Sequence, residues 1–275
     1  MKAAMLWRLL GVSSICATAL LIFGFGWAVK DTLYPNLKQE TNTKEWKQEA
    51  AVRPEVNSYK NATEIRIVAL GDSLTKGTGD HTGEGYVKQV AEGLRSRWNK
   101  PVTIVNNLAI NGLRADELAE RLESDSGFAY ALKSANLILL TIGGNDLFQH
   151  ARARNAKSKL SVIRMLERSK ELPAVMNQFD LVTQELNRIN STAKIVYVGL
   201  YNPFYDIEEL RIGSLQVQQW NAEAYSLLHS YPNMIMIPTY DLFEGKIGDF
   251  LSNDHFHPNH QGYGKIASRI LDSLN

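Results

Sequence analysis

The stretch IRIVALGDS, residues 65–73, decides the fold. Its first six residues are mostly β-branched or aliphatic, which predicts a buried β-strand that ends at Gly71. Asp72 and Ser73 follow at once. In an open parallel sheet, ligands bind beyond the carboxyl ends of the strands, and Ser73 would lie at that edge.

Further strands and helices follow in regular alternation. We predict strands at 102–108, 136–142, 194–200 and 234–237, and helices at 85–98, 115–122, 160–189, 215–228 and 259–274. Pro173 marks a break or a start within the long helical stretch. The run at 136–142 is almost continuously apolar, as expected for a strand covered on both faces. Five strands alternating with helices predict an α/β domain whose parallel sheet is covered on both sides.

The composition excludes several classes of protein. Apolar residues make up 44% of the chain and charged residues 21%, so most of the chain can form a buried core. Lys and Arg number 30 against 29 Asp and Glu, a formal net charge of +1, which argues against a nucleic-acid partner bound by a large basic surface. Cys16 is the one cysteine in the sequence, so an intramolecular disulfide and a cysteine-based zinc site are excluded.

The N-terminus carries a separate signal. Leu9 to Val29 is 21 residues without a charge, roughly 30 Å of helix, which is enough to cross a bilayer core. Trp7 and Trp27 lie near its ends, and the basic residues before it predict a cytoplasmic N-terminus with everything after it outside. We therefore predict a single N-terminal transmembrane helix. A cleaved signal peptide, which would make the protein secreted, and a buried core helix are the alternatives.

The sequence between this segment and the first strand is polar and mixed in charge. It contains Pro35 and Pro54 and has no sustained apolar period. That composition predicts a tether. The predicted organisation is an anchor or signal peptide over residues 1–30, a tether over 31–63 and a globular domain over 64–275.

The sequence GDSL at 71–74 allows three roles for the loop after the first strand. Asp72 and Ser73 are both good helix N-caps. The nearby glycines could supply the backbone donors of a phosphate loop, although Lys76 stands where the Walker motif requires a glycine. A serine at this edge could also be a nucleophile, but the pattern is not the Gly-x-Ser-x-Gly elbow of α/β-hydrolases. This motif alone does not choose among the three.

Two more loops carry polar groups at the same predicted edge. Asn111 and Gly112 follow the second strand and are a common turn pair. The sequence GGND at 143–146 follows the third strand, and its glycines let the backbone approach a ligand closely. Asn145 could donate its side-chain amide to a developing oxyanion, bond across loops or cap the next helix.

The loop DHFHPN at 254–259 follows the fifth strand. Asp254 and His257 are three residues apart on a turn, so the carboxylate can hold one imidazole nitrogen and leave the other as a base. Three of the six histidines lie close together here, namely His255, His257 and His260. With Asp254 they also allow a metal site, which is the rival interpretation.

In this order, the four blocks resemble those of the SGNH hydrolase superfamily, the GDSL lipases and esterases. The matching positions are 71–73, Gly112 after Asn111, 143–146, and the pair Asp254 and His257. The resemblance covers about residues 64–275. It implies a flavodoxin-like three-layer α/β/α sandwich, in agreement with the alternation of strands and helices.

The resemblance also implies the roles of the residues. Ser73 would attack an ester carbonyl, His257 would take and return the proton, and Asp254 would orient the imidazole. The backbone N–H groups of Ser73 and Gly112 and the side-chain amide of Asn145 would form the oxyanion hole. This scheme requires no metal and no organic cofactor.

The substrate class is less defined. The segment 147–168 is basic, which predicts a solvated helical face or a surface that favours anionic substrates such as lysophospholipids. Tyr201, Phe204 and Tyr205 follow the fourth strand and could line an acyl or sugar pocket. The predicted extracytoplasmic position at the cell membrane suits lipid or cell-envelope esters. An envelope carbohydrate O-acetylesterase, a metal-dependent phosphoesterase and a non-catalytic binding module are the alternatives.

Overall fold

The computed structural model describes residues 2–33, 59–148, 172–211 and 213–274. The chain divides into two units, Met1–Ala51 and Val52–Asn275, and each is described by itself. Most of the predicted tether and nearly all of the basic segment 147–168 lie outside the described residues. The predicted boundaries at residues 30 and 63 stay predictions.

The described part of the first unit is the helix α1, which spans Lys2–Leu33. It includes the stretch for which the sequence predicts a membrane anchor, and the side chains of Trp7 and Trp27 on it are exposed. Of the helices in the described parts of the chain, none combines the length and the apolar character that a membrane crossing requires. The transmembrane helix and the signal peptide both stay predictions.

The second unit is built on one sheet of five parallel strands, as the sequence predicts. Their order across the sheet is β2-β1-β3-β4-β5. The strands span Ile65–Gly71 (β1), Val102–Asn107 (β2), Leu137–Thr141 (β3), Lys194–Val198 (β4) and Met234–Ile237 (β5).

Helices occupy most of the connections between strands. They span Ser73–Lys76 (α2), Gly85–Trp98 (α3), Ala115–Ser124 (α4), Ser126–Ser134 (α5), Gly144–Phe148 (α6), Leu172–Ile189 (α7), Gly213–His229 (α8), Tyr240–Phe243 (α9), Ile247–Phe250 (α10) and His260–Ser273 (α11), with a short 3₁₀ turn at Glu208–Leu210. Pro173 is the second described residue of α7, so the predicted break or start at this position stays a prediction. The part of the predicted helix before Leu172 lies outside the described residues.

The two faces of the sheet carry separate cores. Along β1, Ile65, Ile67 and Ala69 pack on one side and Val68 and Leu70 on the other. The first core is completed by α3 and α11, and the second by α4, α5, α7 and α8. A strand buried on both faces has no polar face to alternate with, which explains the apolar runs of β1 and β3. The three-layer α/β/α arrangement is therefore confirmed.

The register of the central strands places the site. In the pairing of β1 with β3, Gly71 lies opposite Thr141, so the two strands end at the same level. On the other side of β1, the register shifts between Ile67 and Val68, and Ala69 then lies opposite Asn107 at the end of β2. The loops after β1, β2 and β3 consequently leave the sheet side by side.

Candidate active site

Ser73 owes its position to the tight end of β1. Gly71 has φ of +125°, and a Cβ there would lie 1.8 Å from the carbonyl oxygen of Thr141, so only glycine fits. Asp72 caps α2 by accepting the N–H of Leu74 at 3.0 Å. The capping role therefore belongs to Asp72, and Ser73 lies at the first helical position, 2% exposed.

The backbone of this loop does not have the form of a phosphate cradle. The N–H of Gly77 donates to the carbonyl of Leu74, and the N–H of Thr78 donates to the carbonyl of Ser73 at 3.0 Å. With the N–H of Leu74 bound to Asp72, donors that a phosphate loop would need are used within the chain. This geometry disfavours the phosphate-loop interpretation.

His257 links the serine to an aspartate. Its Nε2 lies 2.8 Å from Oγ of Ser73, and its Nδ1 lies 2.5 Å from Oδ2 of Asp254. The other carboxylate oxygen, Oδ1, accepts the backbone N–H of His257 at 2.9 Å and the hydroxyl of Ser252 at 2.7 Å. A turn of three residues thus folds the carboxylate under the ring, as the spacing predicts.

The surroundings of Asp254 favour its ionised form. Partial burial raises the pKa of Asp254, but hydrogen bonds from the side chain and backbone of His257 and from Ser252 outweigh it and lower the pKa to about 2. An ionised carboxylate beside Nδ1 holds the proton on that nitrogen. Nε2 then faces the hydroxyl of Ser73 as a proton acceptor.

The three clustered histidines have different partners. Nε2 of His255 lies 3.0 Å from Oδ1 of Asp206, and Nδ1 of His260 lies 3.3 Å from Oδ2 of Asp80. Only His257 among them contacts Asp254 within the described part of the chain. Nowhere in the described part of the chain do three His, Cys, Asp or Glu side chains lie close enough together to hold a metal ion. The metal interpretation of the loop at 254–260 therefore has no assembled site.

Two residues that the sequence analysis missed fix the position of the histidine. Gly79 has φ of +96°, and a Cβ there would lie 2.7 Å from Cβ of His257. Ser252 bonds Asp254 from the opposite side. Neither residue belongs to a recognisable motif, although a glycine-rich loop after a candidate nucleophile was a signal for close packing.

The loop that carries Gly112 is held from the loop after β3. Nδ2 of Asn145 donates to the carbonyl of Leu113 at 2.9 Å. Both carboxylate oxygens of Asp146 lie 3.2 Å from the N–H of Ala115, the first residue of α4. Gly112 has φ of +82°, and no atom lies within 4 Å of where its Cβ would be. Gly112 is also exposed to solvent.

Asp146 has an environment unusual for a carboxylate. It is 4% exposed, and burial raises its pKa to about 7, against the opposing effect of the hydrogen bond from Ala115. No sequence pattern gives Asp146 a separate role.

A buried polar network lies beneath Ser73. The hydroxyl of Thr141 donates to Oδ1 of Asp72 at 2.6 Å, and it also lies 2.7 Å from the hydroxyl of Thr75. Thr75 in turn lies 2.8 Å from the hydroxyl of Tyr86 on α3. Burial raises the pKa of Tyr86, which keeps its proton available for this bond. The network ties α2 to β3 and α3 and so fixes the helix that begins with Ser73.

Two recesses border loops of the candidate site and differ in character. A polar cleft of about 520 Å³ is lined by Asn111 and Gly112 and by residues of α4. An apolar cavity of about 20 Å³ is lined by Leu74, Phe148 and Phe256. Tyr201 lines this cavity, as the sequence analysis expected. The ring of Tyr205 instead lies under the guanidinium of Arg211, 5.4 Å away.

The sequence matches the GDSL-like lipase/acylhydrolase family model over residues 69–265. The chain belongs to the GDSL-like lipase/acylhydrolase family. This match confirms the family that the four sequence blocks indicate. The chain is a carboxylic ester hydrolase of the GDSL type.

Two curated bacterial proteins are similar to this GDSL hydrolase over most of its length. The uncharacterized protein YpmR of Bacillus subtilis is 33% identical over 225 residues, which cover 81% of this chain and 86% of that protein. The spore germination lipase LipC of Bacillus licheniformis is 28% identical over 208 residues, which cover 75% of this chain and 94% of that protein.

Solved structures share the fold. The lipase Lip_vut3 from a goat rumen metagenome has a TM-score of 0.63 and 25% identity, covering 77% of this chain and 97% of its own. An acetylxylan esterase from Geobacillus stearothermophilus has a TM-score of 0.57 and 18% identity, covering 77% and 94%. Proteins similar to this GDSL hydrolase thus include two named lipases and share their fold with an acetylxylan esterase.

Proposed function

We propose that the protein is a serine esterase in which Ser73, His257 and Asp254 form the catalytic triad. The observation that carries this proposal is the chain of two hydrogen bonds from Oδ2 of Asp254 through the imidazole to Oγ of Ser73. Ser73 and His257 are each 2% exposed, so the reacting atoms are shielded from bulk water. A buried base that touches a serine hydroxyl at one nitrogen and a carboxylate at the other has the geometry of nucleophilic catalysis.

The mechanism follows from these contacts. As Oγ of Ser73 attacks the ester carbonyl, its proton passes to Nε2 of His257, and the imidazolium is stabilised by ionised Asp254. The imidazolium then gives the proton to the departing alkoxide, which leaves as the alcohol. Water, deprotonated by the same Nε2, attacks the acyl-serine and releases the carboxylic acid.

The negative charge of the tetrahedral intermediate requires donors beside Ser73. We assign this role to the backbone N–H groups of Ser73 and Gly112 and to the amide of Asn145. The bond from Asn145 to Leu113 supports the assignment because it fixes the amide next to the loop of Gly112. One such donor typically contributes about 10²–10³ in kcat.

The ester itself belongs to one of two classes in this proposal. Lipid esters, including lysophospholipids and acylated envelope components, are favoured by the relatives named lipases. A carbohydrate O-acetyl ester is the second candidate. It is favoured by the polar cleft beside Gly112, which suits a hydroxyl-rich alcohol better than a lipid chain.

We also propose an extracytoplasmic location, with residues 9–29 as a membrane anchor or, alternatively, as the signal peptide of a secreted protein. The absence of charge from this stretch and the basic residues before it support the proposal. In either form the hydrolase would act on esters outside the cytoplasm.

A substrate panel tests the function. The full-length protein, in mild detergent, is assayed on p-nitrophenyl esters, lysophospholipids and acetylated glycans, beside the Ser73→Ala variant. We expect turnover of at least one ester class by the wild type and none by Ser73→Ala. Equal turnover by the two proteins would refute the triad, and activity that a chelator abolishes would favour metal-dependent chemistry instead.

A further inference from the structure

A small apolar cavity lies beside the neighbours of Ser73 in the sequence. It is bounded by both sequence neighbours of the nucleophile, Asp72 and Leu74, and by Phe256, which precedes the catalytic histidine. We propose that this cavity is the acyl site and that it takes a short acyl group, so the substrates are acetyl or propionyl esters and not long-chain lipid esters. This inference rests on the proposed triad.

The size of the cavity sets the limit. Its volume is about 20 Å³, against roughly 150 Å³ for an apolar cavity that holds a benzene molecule. The methyl of an acetyl group therefore fills most of it. The lining is almost entirely apolar, which matches an alkyl group and disfavours an acyl group that carries a polar substituent.

Aromatic packing supports the wall of the cavity that Phe148 and Phe256 form. The rings of Phe148, Phe204 and Phe256 contact one another, with centroids 5.8, 6.0 and 6.3 Å apart. Because each ring is supported by the other two, a longer chain cannot turn one aside without disturbing the cluster.

The remaining wall is fixed through its backbone. The ring of Tyr201 stacks on Phe243 at 4.0 Å, and its hydroxyl donates to the carbonyl of Phe256 at 2.8 Å. Both the N–H and the carbonyl of Leu200 bond to the side chain of Asn221, at 2.9 and 2.8 Å. The side chain of Leu200 is therefore the part of this wall that a substitution can remove without moving the chain.

The experiment compares acyl lengths on the full-length protein. We measure kcat/KM for p-nitrophenyl acetate, butyrate and hexanoate, each relative to its uncatalysed hydrolysis. The wild type should favour acetate over hexanoate by about 100-fold or more, since each added methylene exceeds the space of a cavity of about 20 Å³. Leu200→Ala should raise the butyrate-to-acetate ratio about tenfold, whereas Leu186→Ala, which removes a buried leucine from α7, should leave the ratio unchanged.

The outcomes separate this inference from the function on which it rests. Equal or faster turnover of hexanoate by the wild type, with Ser73 still required, overturns the acyl-site inference and leaves the triad standing. An unchanged ratio in a folded Leu200→Ala protein overturns it as well. If no ester is turned over and Ser73 is not essential, the proposed function itself fails. The wild-type profile needs no variant and decides the matter even where Leu200→Ala does not fold.

Discussion

Nε2 of His257 lies 2.8 Å from Oγ of Ser73, although 184 residues separate them in the sequence. The parallel sheet contributes to this proximity, because all of its strands end at the same edge and Ser73 closely follows β1, which lies between β2 and β3. Tight packing then sets the distance, with Gly79 against the histidine and Gly71 against Thr141. The contact therefore depends on two glycines as well as on the reacting residues.

The two neighbouring histidines should differ sharply in importance. His257→Ala should lower kcat by several orders of magnitude, because removing a triad base leaves only the contribution of the oxyanion hole and of binding. His255→Ala should lower it by at most about tenfold, since His255 bonds Asp206 and not the triad. Steady-state kinetics on both purified variants provide the test, and equal losses that added zinc restores would revive a metal site.

Asp254→Asn should give an intermediate loss. The amide can still accept the hydrogen bonds of Ser252 and the His257 backbone, so the loop keeps its shape. It no longer enforces the proton on Nδ1 or stabilises the imidazolium, and kcat should fall while KM changes little. A variant as active as the wild type would show that the carboxylate does not orient the histidine.

The carboxylate of Asp146 should matter through the loop of Gly112. Without its bond to Ala115, that loop loses a tether, and Asp146→Ala should lower kcat about tenfold or more with KM little changed, as when an oxyanion donor is misplaced. Asp146→Asn retains an acceptor and should restore most of kcat. The concentration of active sites must be titrated for each variant, so that a smaller folded fraction is not mistaken for a lower kcat.

The matched control for this loss is Asn190→Ala. Asn190 is also buried, and its side-chain amide donates to the carbonyls of Leu132 and Ala135 at 2.8 and 2.9 Å. It precedes β4 and so lies at the amino ends of the strands, away from Ser73. It should lose stability without losing kcat per active site. If both variants behave alike, Asp146 has only a structural role.

Asp146 should also make stability depend on pH. Its pKa rises from a usual value near 3.8 to about 7 in the folded protein, so the folded state holds the proton where the unfolded state has released it. Stability from this group is therefore lost as pH rises from about 4 to about 7. Urea unfolding at several pH values should show the wild type weakening relative to Asp146→Asn across that window. A constant difference would contradict the raised pKa.

The N-terminal segment should direct the protein to the membrane. Full-length protein in a bacterial host should sediment with membranes and be released by detergent, and external protease should remove the hydrolase domain from spheroplasts. These results are expected from the uncharged stretch at 9–29 and the basic residues before it. A mature protein that begins near Trp27 and appears in the medium would instead identify a cleaved signal peptide.

The strongest sequence patterns gave the elements of the fold. The helix α3 and the strand β5 have the predicted bounds, because their apolar spacing and flanking turn residues are unambiguous. The strands β2 and β4 end one and two residues early, since an apolar residue after a strand looks like its continuation. Helix α5 was not predicted, although Asp125 caps it by accepting the N–H groups of Gly127 and Phe128.

The proximity of Ser73, His257 and Asp254 was predictable from the sequence, but the contacts that support them were not. Ser73 closely follows β1, and Asp254 and His257 lie three residues apart in the loop between α10 and α11. Thr75, Thr141 and Asp146 act through contacts between loops that are distant in sequence, and no local pattern encodes such contacts. The order of the strands and the register shift in β1 likewise depend on the packing of whole helices.

Labelling by a serine-directed fluorophosphonate tests the central claim most directly. The buried hydroxyl of Ser73 beside Nε2 should react covalently, and peptide mass analysis should find the adduct at Ser73 alone. His257→Ala should abolish labelling, because it removes the proton acceptor, while His255→Ala should leave it intact. An adduct on another serine, or ester turnover by a Ser73→Ala protein, would contradict the assignment of Ser73 as the nucleophile.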